Sequence, residues 1–316
     1  MSPIESLNHL RERGLLPDEQ AKIIADIEAK RPFSLHWELR SVLYIGILLL
    51  SSGLGLLIYE NYDSLGHLTI LGGISVLCAG AYAYAFRVRP PWSPGLVQSA
   101  SPFGDYALVL GCLLFLSLIG YAQYEYTVFG TRYGLVTFVP AVLFLALAYR
   151  FDHRGVLGMG LTALMAWVGV TVRPLDLYIK TNFFDERVIY SALALSGAVL
   201  GAAWLLQRRG IKPHFTFTYL LVVGNLLLVA LLAGLFNLEP MRFVFAVLLM
   251  GACALFDWYA RQEQSLLFGL MAAVYGFIGL SYLFFTYTNP GFYSSTFYLL
   301  ATGVGLVVYL LAYRRR

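Results

Sequence analysis

The chain has 316 residues, of which 59% are hydrophobic and 13% charged, and its mean hydropathy is +0.70. A soluble domain carries about 25% charged and about 45–50% apolar residues, which excludes a soluble globular enzyme, a disordered chain and a collagenous one. The formal net charge of +4 is too small to point to nucleic acid, and a polytopic membrane protein remains.

Residues 1–36 form a charged N-terminal segment in which two short helices are expected within 3–31. Leu7 and Leu10 mark an apolar stripe on the first, and Gly14 is a natural stop. Pro17 suits a first helical turn, with Asp18 and Glu19 complementing the dipole. Ile23, Ile24 and Ile27 give the second helix one sticky face before Pro32. This module is expected in the cytosol, docked on the bundle, on itself or on a protein partner. It lacks the apolar stretch of a cleavable signal peptide, so insertion should use the first span.

Ten apolar runs follow, at approximately 41–59, 68–86, 106–123, 134–149, 155–172, 188–206, 217–236, 241–256, 265–286 and 293–312. A helix needs roughly 17–25 apolar residues to cross the hydrocarbon; the fourth and eighth runs are the shortest. The runs lack the period-2 alternation of barrel strands, so helices are expected. With the N-terminus inside, 17 of the 22 Lys and Arg fall on inner segments and five on outer ones. Both termini are therefore expected in the cytoplasm of a bacterial cytoplasmic (inner) membrane. The connection 173–187 dissents with three basic residues and reads as an interfacial segment. Even-numbered spans end in an aromatic residue followed by Arg, as at Phe86-Arg87, Tyr149-Arg150 and Trp204 to Arg208, which suits interfacial anchoring.

Shifting the chain by 65 residues pairs Gly46, Leu48, Leu49, Ser52, Gly55, Tyr59 and Glu60 with Gly111, Leu113, Leu114, Ser117, Gly120, Tyr124 and Glu125. Further on, Ala81, Ala83, Tyr84, Phe86 and Arg89 meet Ala146, Ala148, Tyr149, Phe151 and Arg154. A duplicated two-helix unit follows, occupying 37–154 as two hairpins, with six further helices in 155–316. Two-helix repeats preserve orientation and are therefore parallel repeats, unlike the inverted repeats of many ion-coupled carriers.

The stretch Leu10-Arg11-Glu12-Arg13-Gly14-Leu15-Leu16-Pro17-Asp18-Glu19-Gln20-Ala21 precedes a first span with Gly46-Ile47-Leu48-Leu49 and the polar-aromatic exit Tyr59-Glu60-Asn61-Tyr62-Asp63. Together these resemble the opening of a bacterial membrane-protein family catalogued as domain of unknown function 2157, over roughly residues 5–150. The exit departs from the Asn-Trp-Asp-like pattern of that family. The resemblance implies a membrane protein and carries no activity.

The drawn spans hold no Asp, Glu, Lys, Arg or His near mid-membrane, which argues against a pump or a charged-substrate carrier. Ser51, Ser52, Ser117, Thr162, Ser196 and Gln123 are expected to bond to their own backbone or to a neighbouring helix. Asn225 is the best interhelical clamp, with a substrate contact as the alternative. Glu60 and Glu125 are matched by the repeat. With Asn61, Asp63 and His67 they form a candidate outer polar vestibule, in which facing carboxylates could share a proton or bind a cation; solvated interfacial acids are the plainer reading. Tyr121, Tyr124, Tyr126, Phe129 and Tyr133 crowd one outer connection, and Tyr282, Phe284, Phe285, Tyr287, Phe292 and Tyr293 another. They read as belt residues, with a groove for lipid as the alternative.

Gly197 and Gly201 form GxxxG, read as packing within the chain, with a homo-oligomer possible. Pro140 should kink the fourth span. Cys78, Cys112 and Cys253 read as small buried hydrophobes. Asp152, between Arg150 and Arg154, reads as a turn that neutralises itself. The five His are dispersed, and no catalytic, cofactor or metal-ligand motif is present. The expectation is an all-α polytopic bundle of about ten spans with a cytosolic N-terminal module. It should be non-enzymatic and need no cofactor, acting as a scaffold, sensor or assembly partner through residues 1–36. A transporter or channel for an apolar, lipidic or uncharged solute is the alternative.

Overall fold

The structure is a computed structural model, described here for residues 20, 36–60, 66–97, 101–172, 186–288 and 290–314. The helix pair expected within 3–31, the vestibule residues Asn61 and Asp63, and nearly all of the connection 173–187 lie outside these. Ten α-helices occur among the described residues: α1 His36–Glu60, α2 His67–Arg87, α3 Pro102–Tyr126, α4 Gly134–Phe151 and α5 Arg154–Val172, then α6 Glu186–Arg208, α7 Thr216–Asn237, α8 Arg242–Gln262, α9 Leu266–Thr288 and α10 Phe292–Arg314. Two single 3-10 turns, Pro213–Phe215 and Glu239–Met241, lead into α7 and α8. The described residues contain no strand.

The chain is a polytopic membrane protein. Helices α2 to α9, eight in all, are long and apolar enough to cross a bilayer, and α1 holds the apolar stretch Ser41–Gly53. Each apolar run read from the sequence has become a helix. The eighth is longer than the run, because α8 continues to Gln262. Its last turns carry Asp257 and Arg261, whose ion pair at one-turn spacing (2.7 Å) holds the polar end in helix. Pro140 sits inside α4 without ending it.

Residues 1–60 and 61–316 form two separate units, and α1 belongs to the first. The helix bounds repeat with the 65-residue offset: moved along by it, α1 falls on 101–125 and α2 on 132–152, within two residues of α3 and α4.

In the second unit, α7 is the central element, touching α5, α6, α8 and α9. It is the most buried of the eight candidate spans, and its sequence is apolar around most of its circumference. Two apolar cores meet on it. Tyr219 and Val223 belong with Leu108, Cys112, Phe144, Leu157 and Phe215, which join α3, α4, α5 and the start of α7. Leu228, Leu231 and Leu235 belong with Ile189, Phe245, Leu249, Phe256 and Phe268, from α6, α8 and α9. Close approach of α7 and α8 depends on Gly224 and Gly234, where a methyl would overlap the rings of Phe256 and Phe245. Gly160 likewise lets α5 reach the α4 backbone, with Leu145 N 3.0 Å from where a Cβ would stand.

The GxxxG pair behaves differently from the expectation of packing within the chain. Gly197 and Gly201 are exposed, and a Cβ on either would meet no atom within 4 Å. The reason is that α6 turns Ile189, Ser196 and Ala203 inward, and the two glycines lie off that face.

Candidate functional site

The connections that follow α2, α4 and α6 come together at one end of the second unit, where Arg residues are concentrated. Asp152 ends α4 in the left-handed conformation (φ 59°) and Lys212 begins the approach to α7 in the same conformation (φ 48°). Asp tolerates this region, whereas a lysine there costs roughly 1–2 kcal/mol. Tertiary contacts hold it. Lys212 N–H donates to Pro94 O (2.7 Å), and its ammonium donates to Gly95 O (3.0 Å) and to Asp152 Oδ2 (3.0 Å). The same Asp152 oxygen accepts Val97 N–H at 2.6 Å, while Oδ1 pairs with His214 Nε2 at 2.5 Å.

The Asp152 and Lys212 side chains are each 1% exposed and His214 is 12% exposed. Burial by itself pushes the Asp152 carboxyl up. The hydrogen bonds from Val97, Lys212 and His214, with the charge of His214, outweigh it and hold the carboxyl below its ordinary value. A buried ion pair of this kind needs further hydrogen bonds to both members, which Val97 N–H and His214 supply to Asp152 and Gly95 O supplies to Lys212.

This corrects the reading of Asp152 as neutralised by its neighbours. Arg150 turns away and donates to Pro90 O at 3.2 Å, and Arg154 is exposed. The true partners stand 60 and 62 residues on. A usable signal was the run Pro90-Pro91-Trp92-Ser93-Pro94-Gly95: its prolines supply carbonyl acceptors but no donors, and such a segment asks for donors from elsewhere.

At the opposite end, α2 begins beside the last turn of α3. His67 Nδ1 lies 3.0 Å from the Tyr121 hydroxyl and 3.3 Å from Glu125 Oε2, with the Glu125 side chain 13% exposed. Two of the five vestibule residues are therefore together. Asn61 and Asp63 lie outside the described residues, as does the side chain of Glu60. In the next connection Gln123 fixes the turn by donating to Gly130 O (3.1 Å) and accepting Phe129 N–H (2.9 Å). Its amide is consumed by the backbone. No group of three or more metal-ligating side chains occurs among the described residues.

Within the spans, the Tyr275 hydroxyl of α9 donates to Asn225 Oδ1 of α7 at an exposed edge of their contact. Ser52, Ser117 and Ser196 donate to carbonyls one turn back in their own helices. Tyr149 and Tyr219 join α4 to α7 through their hydroxyls at 3.1 Å. Cys78, Cys112 and Cys253 are buried free thiols. The aromatic clusters divide: Tyr124, Tyr287, Phe292 and Tyr293 are exposed, as belt residues are, whereas Phe284 stacks on Tyr298 (4.1 Å, 7°).

No curated protein and no solved structure matches the chain. Residues 8–157, which take in most of the N-terminal segment, the first four helices and the Asp152 turn, match the family of predicted membrane proteins that share the domain of unknown function DUF2157.

Proposed function

We propose that the protein is a non-enzymatic scaffold, sensor or assembly partner in a bacterial cytoplasmic membrane. In this reading it holds a protein partner through residues 1–36, with both termini and the Arg-rich end in the cytoplasm. The observation that carries the reading is the filling around α7. Phe144, Phe215, Phe268, Leu228 and Leu235 are fully buried there, and the Tyr149–Tyr219 and Asn225–Tyr275 bonds tie α7 to its neighbours. A static support needs interlocked apolar side chains; a solute path needs polar groups left free to receive the solute.

The native thiols test this. Cys112 and Cys253 lie in the two cores on either side of α7. In the scaffold reading, neither reacts with a small hydrophilic methanethiosulfonate in intact membranes. Reaction at either, slowed by an uncharged or lipidic solute, would replace the proposal with a carrier. The partner is tested by deleting residues 1–31: insertion should persist while a crosslinked partner present with the full chain is lost. If the same crosslinks form without these residues, the N-terminal segment has no such role. Orientation is tested by reporter fusions after Arg89 and after Arg209, which should both report the cytoplasm.

A further inference from the structure

The Asp152–Lys212 contact has an effect on the surface around it. It draws three connections together, and Asp152 is the only carboxylate within the segments 88–101, 152–153 and 209–215. That carboxylate is spent on Lys212 and His214. Around it stand Arg87, Arg89, Arg154, Arg208 and Arg209, all exposed and each within five residues of a residue in the buried cluster or of the Arg150 acceptor Pro90. None of the five is in an ion pair among the described residues. Asp105, in the first turn of α3, is the nearest other acid along the chain, so the surplus of positive charge is large.

Two of these arginines are posed beside rings at the ends of spans. The Arg208 guanidinium lies 3.8 Å from the centroid of the Trp204 ring, and Arg89 lies 5.6 Å from Phe86. Trp204 and Phe86 are 49% and 40% exposed. A guanidinium stacked on an exposed ring at the end of a span keeps its N–H edge free for a phosphate at headgroup depth. The α8–α9 turn at the same end is different. Its one arginine, Arg261, is paired with Asp257 at 2.7 Å, and Glu263 follows.

We propose that the α2–α6 side of this end is a one-sided binding surface for anionic phospholipid headgroups, centred on Arg154, Arg208 and Arg209, with the α8–α9 side indifferent to lipid charge. A bilayer, rather than an acidic protein segment, is the favoured occupant because the arginines stand within a turn of apolar spans, beside exposed rings. The proposal rests on the chain spanning a membrane and is independent of the scaffold reading.

The test uses the full-length protein in nanodiscs of mixed phosphatidylcholine and phosphatidylglycerol. In two single-tryptophan variants, retaining Trp204 or Trp258, quenching by brominated phosphatidylglycerol is compared with quenching by brominated phosphatidylcholine. Trp258, also exposed, is the internal control on α8. Basic residues near an anionic surface each add an attraction worth about fivefold in binding. Preference for the anionic lipid at Trp204 should therefore exceed that at Trp258 by about fivefold or more, and R154Q/R208Q/R209Q should abolish the difference. Native mass spectrometry of the protein with all its tryptophans reads the same effect: phosphatidylglycerol adducts fall in the triple variant and persist in R261Q. Equal preference at both tryptophans, or adducts unchanged in the triple variant, overturns the proposal and leaves an acidic protein segment as the occupant.

Discussion

Lys212 and Asp152 meet at 3.0 Å across 60 residues of chain, and each side chain is 1% exposed. Both also adopt left-handed backbone, which a lysine otherwise avoids, so the contact also holds Lys212 in a conformation that costs it energy. Removing one partner should therefore cost more than removing both. Asp152→Asn leaves a buried ammonium without its counter-charge, for which about 3–5 kcal/mol of destabilisation is expected. The double variant Asp152→Asn with Lys212→Met should recover part of that loss. A double-mutant cycle on thermal unfolding in detergent measures the coupling.

The same carboxyl sets an acid limit. Its value in the folded protein lies below the ordinary one, so its stabilisation is fully present above roughly pH 5 and is lost as pH falls through the lowered value. The melting temperature should drop on acidification below that range, and the drop should be smaller in Asp152→Asn. An equal drop in both proteins would place the acid sensitivity elsewhere.

Asn225 and Tyr275 supply a second pair, this time between spans. The Asn225 side chain is exposed on α7, so its amide faces apolar surroundings and depends on the Tyr275 hydroxyl. Tyr275→Phe should cost about 1 kcal/mol, within the usual range for interhelical hydrogen bonds in bilayers. Asn225→Leu with Tyr275→Phe should cost no more than Tyr275→Phe alone, because it removes both polar groups. Steric-trap or denaturant unfolding of the three proteins checks the order.

Glycines in these helices should divide by their neighbours. Gly234→Ala drives a methyl into the Phe245 ring, which is 3% exposed and has little room to shift; about 1–3 kcal/mol of destabilisation is expected. Gly197→Ala meets no neighbour within 4 Å and should be neutral or slightly stabilising through helix propensity. Melting curves of the two variants compare the outcomes.

The sequence was legible where the physics is local. A run of apolar residues has to become a helix in hydrocarbon, since no other single segment satisfies its own backbone there, and so each span emerged near its expected place. Helix bounds follow the 65-residue offset that pairs Gly46 to Glu60 with Gly111 to Glu125 in the sequence. Asn225 was legible as an interhelical clamp, because an amide in a span needs a partner; that the partner is Tyr275 was not. Of the residues read as a vestibule, His67 and Glu125 meet, as the adjacency of α2 and α3 allows.

What sequence order concealed was pairing over distance. Asp152 sits between two arginines, and proximity along the chain suggested that they neutralise it. The α4 end instead turns its carboxylate inward, away from Arg154 and toward Lys212, His214 and Val97. GxxxG was misleading for a related reason: spacing places two glycines on one face, but which face turns inward depends on the neighbours of α6. Composition and hydropathy by themselves determined the solvent, the helices and their approximate ends, because those depend on transfer of each segment from water. Tertiary structure alone decided which polar groups are paired, which arginines are left over, and that α7 joins two cores, because those depend on contacts between segments far apart in the chain.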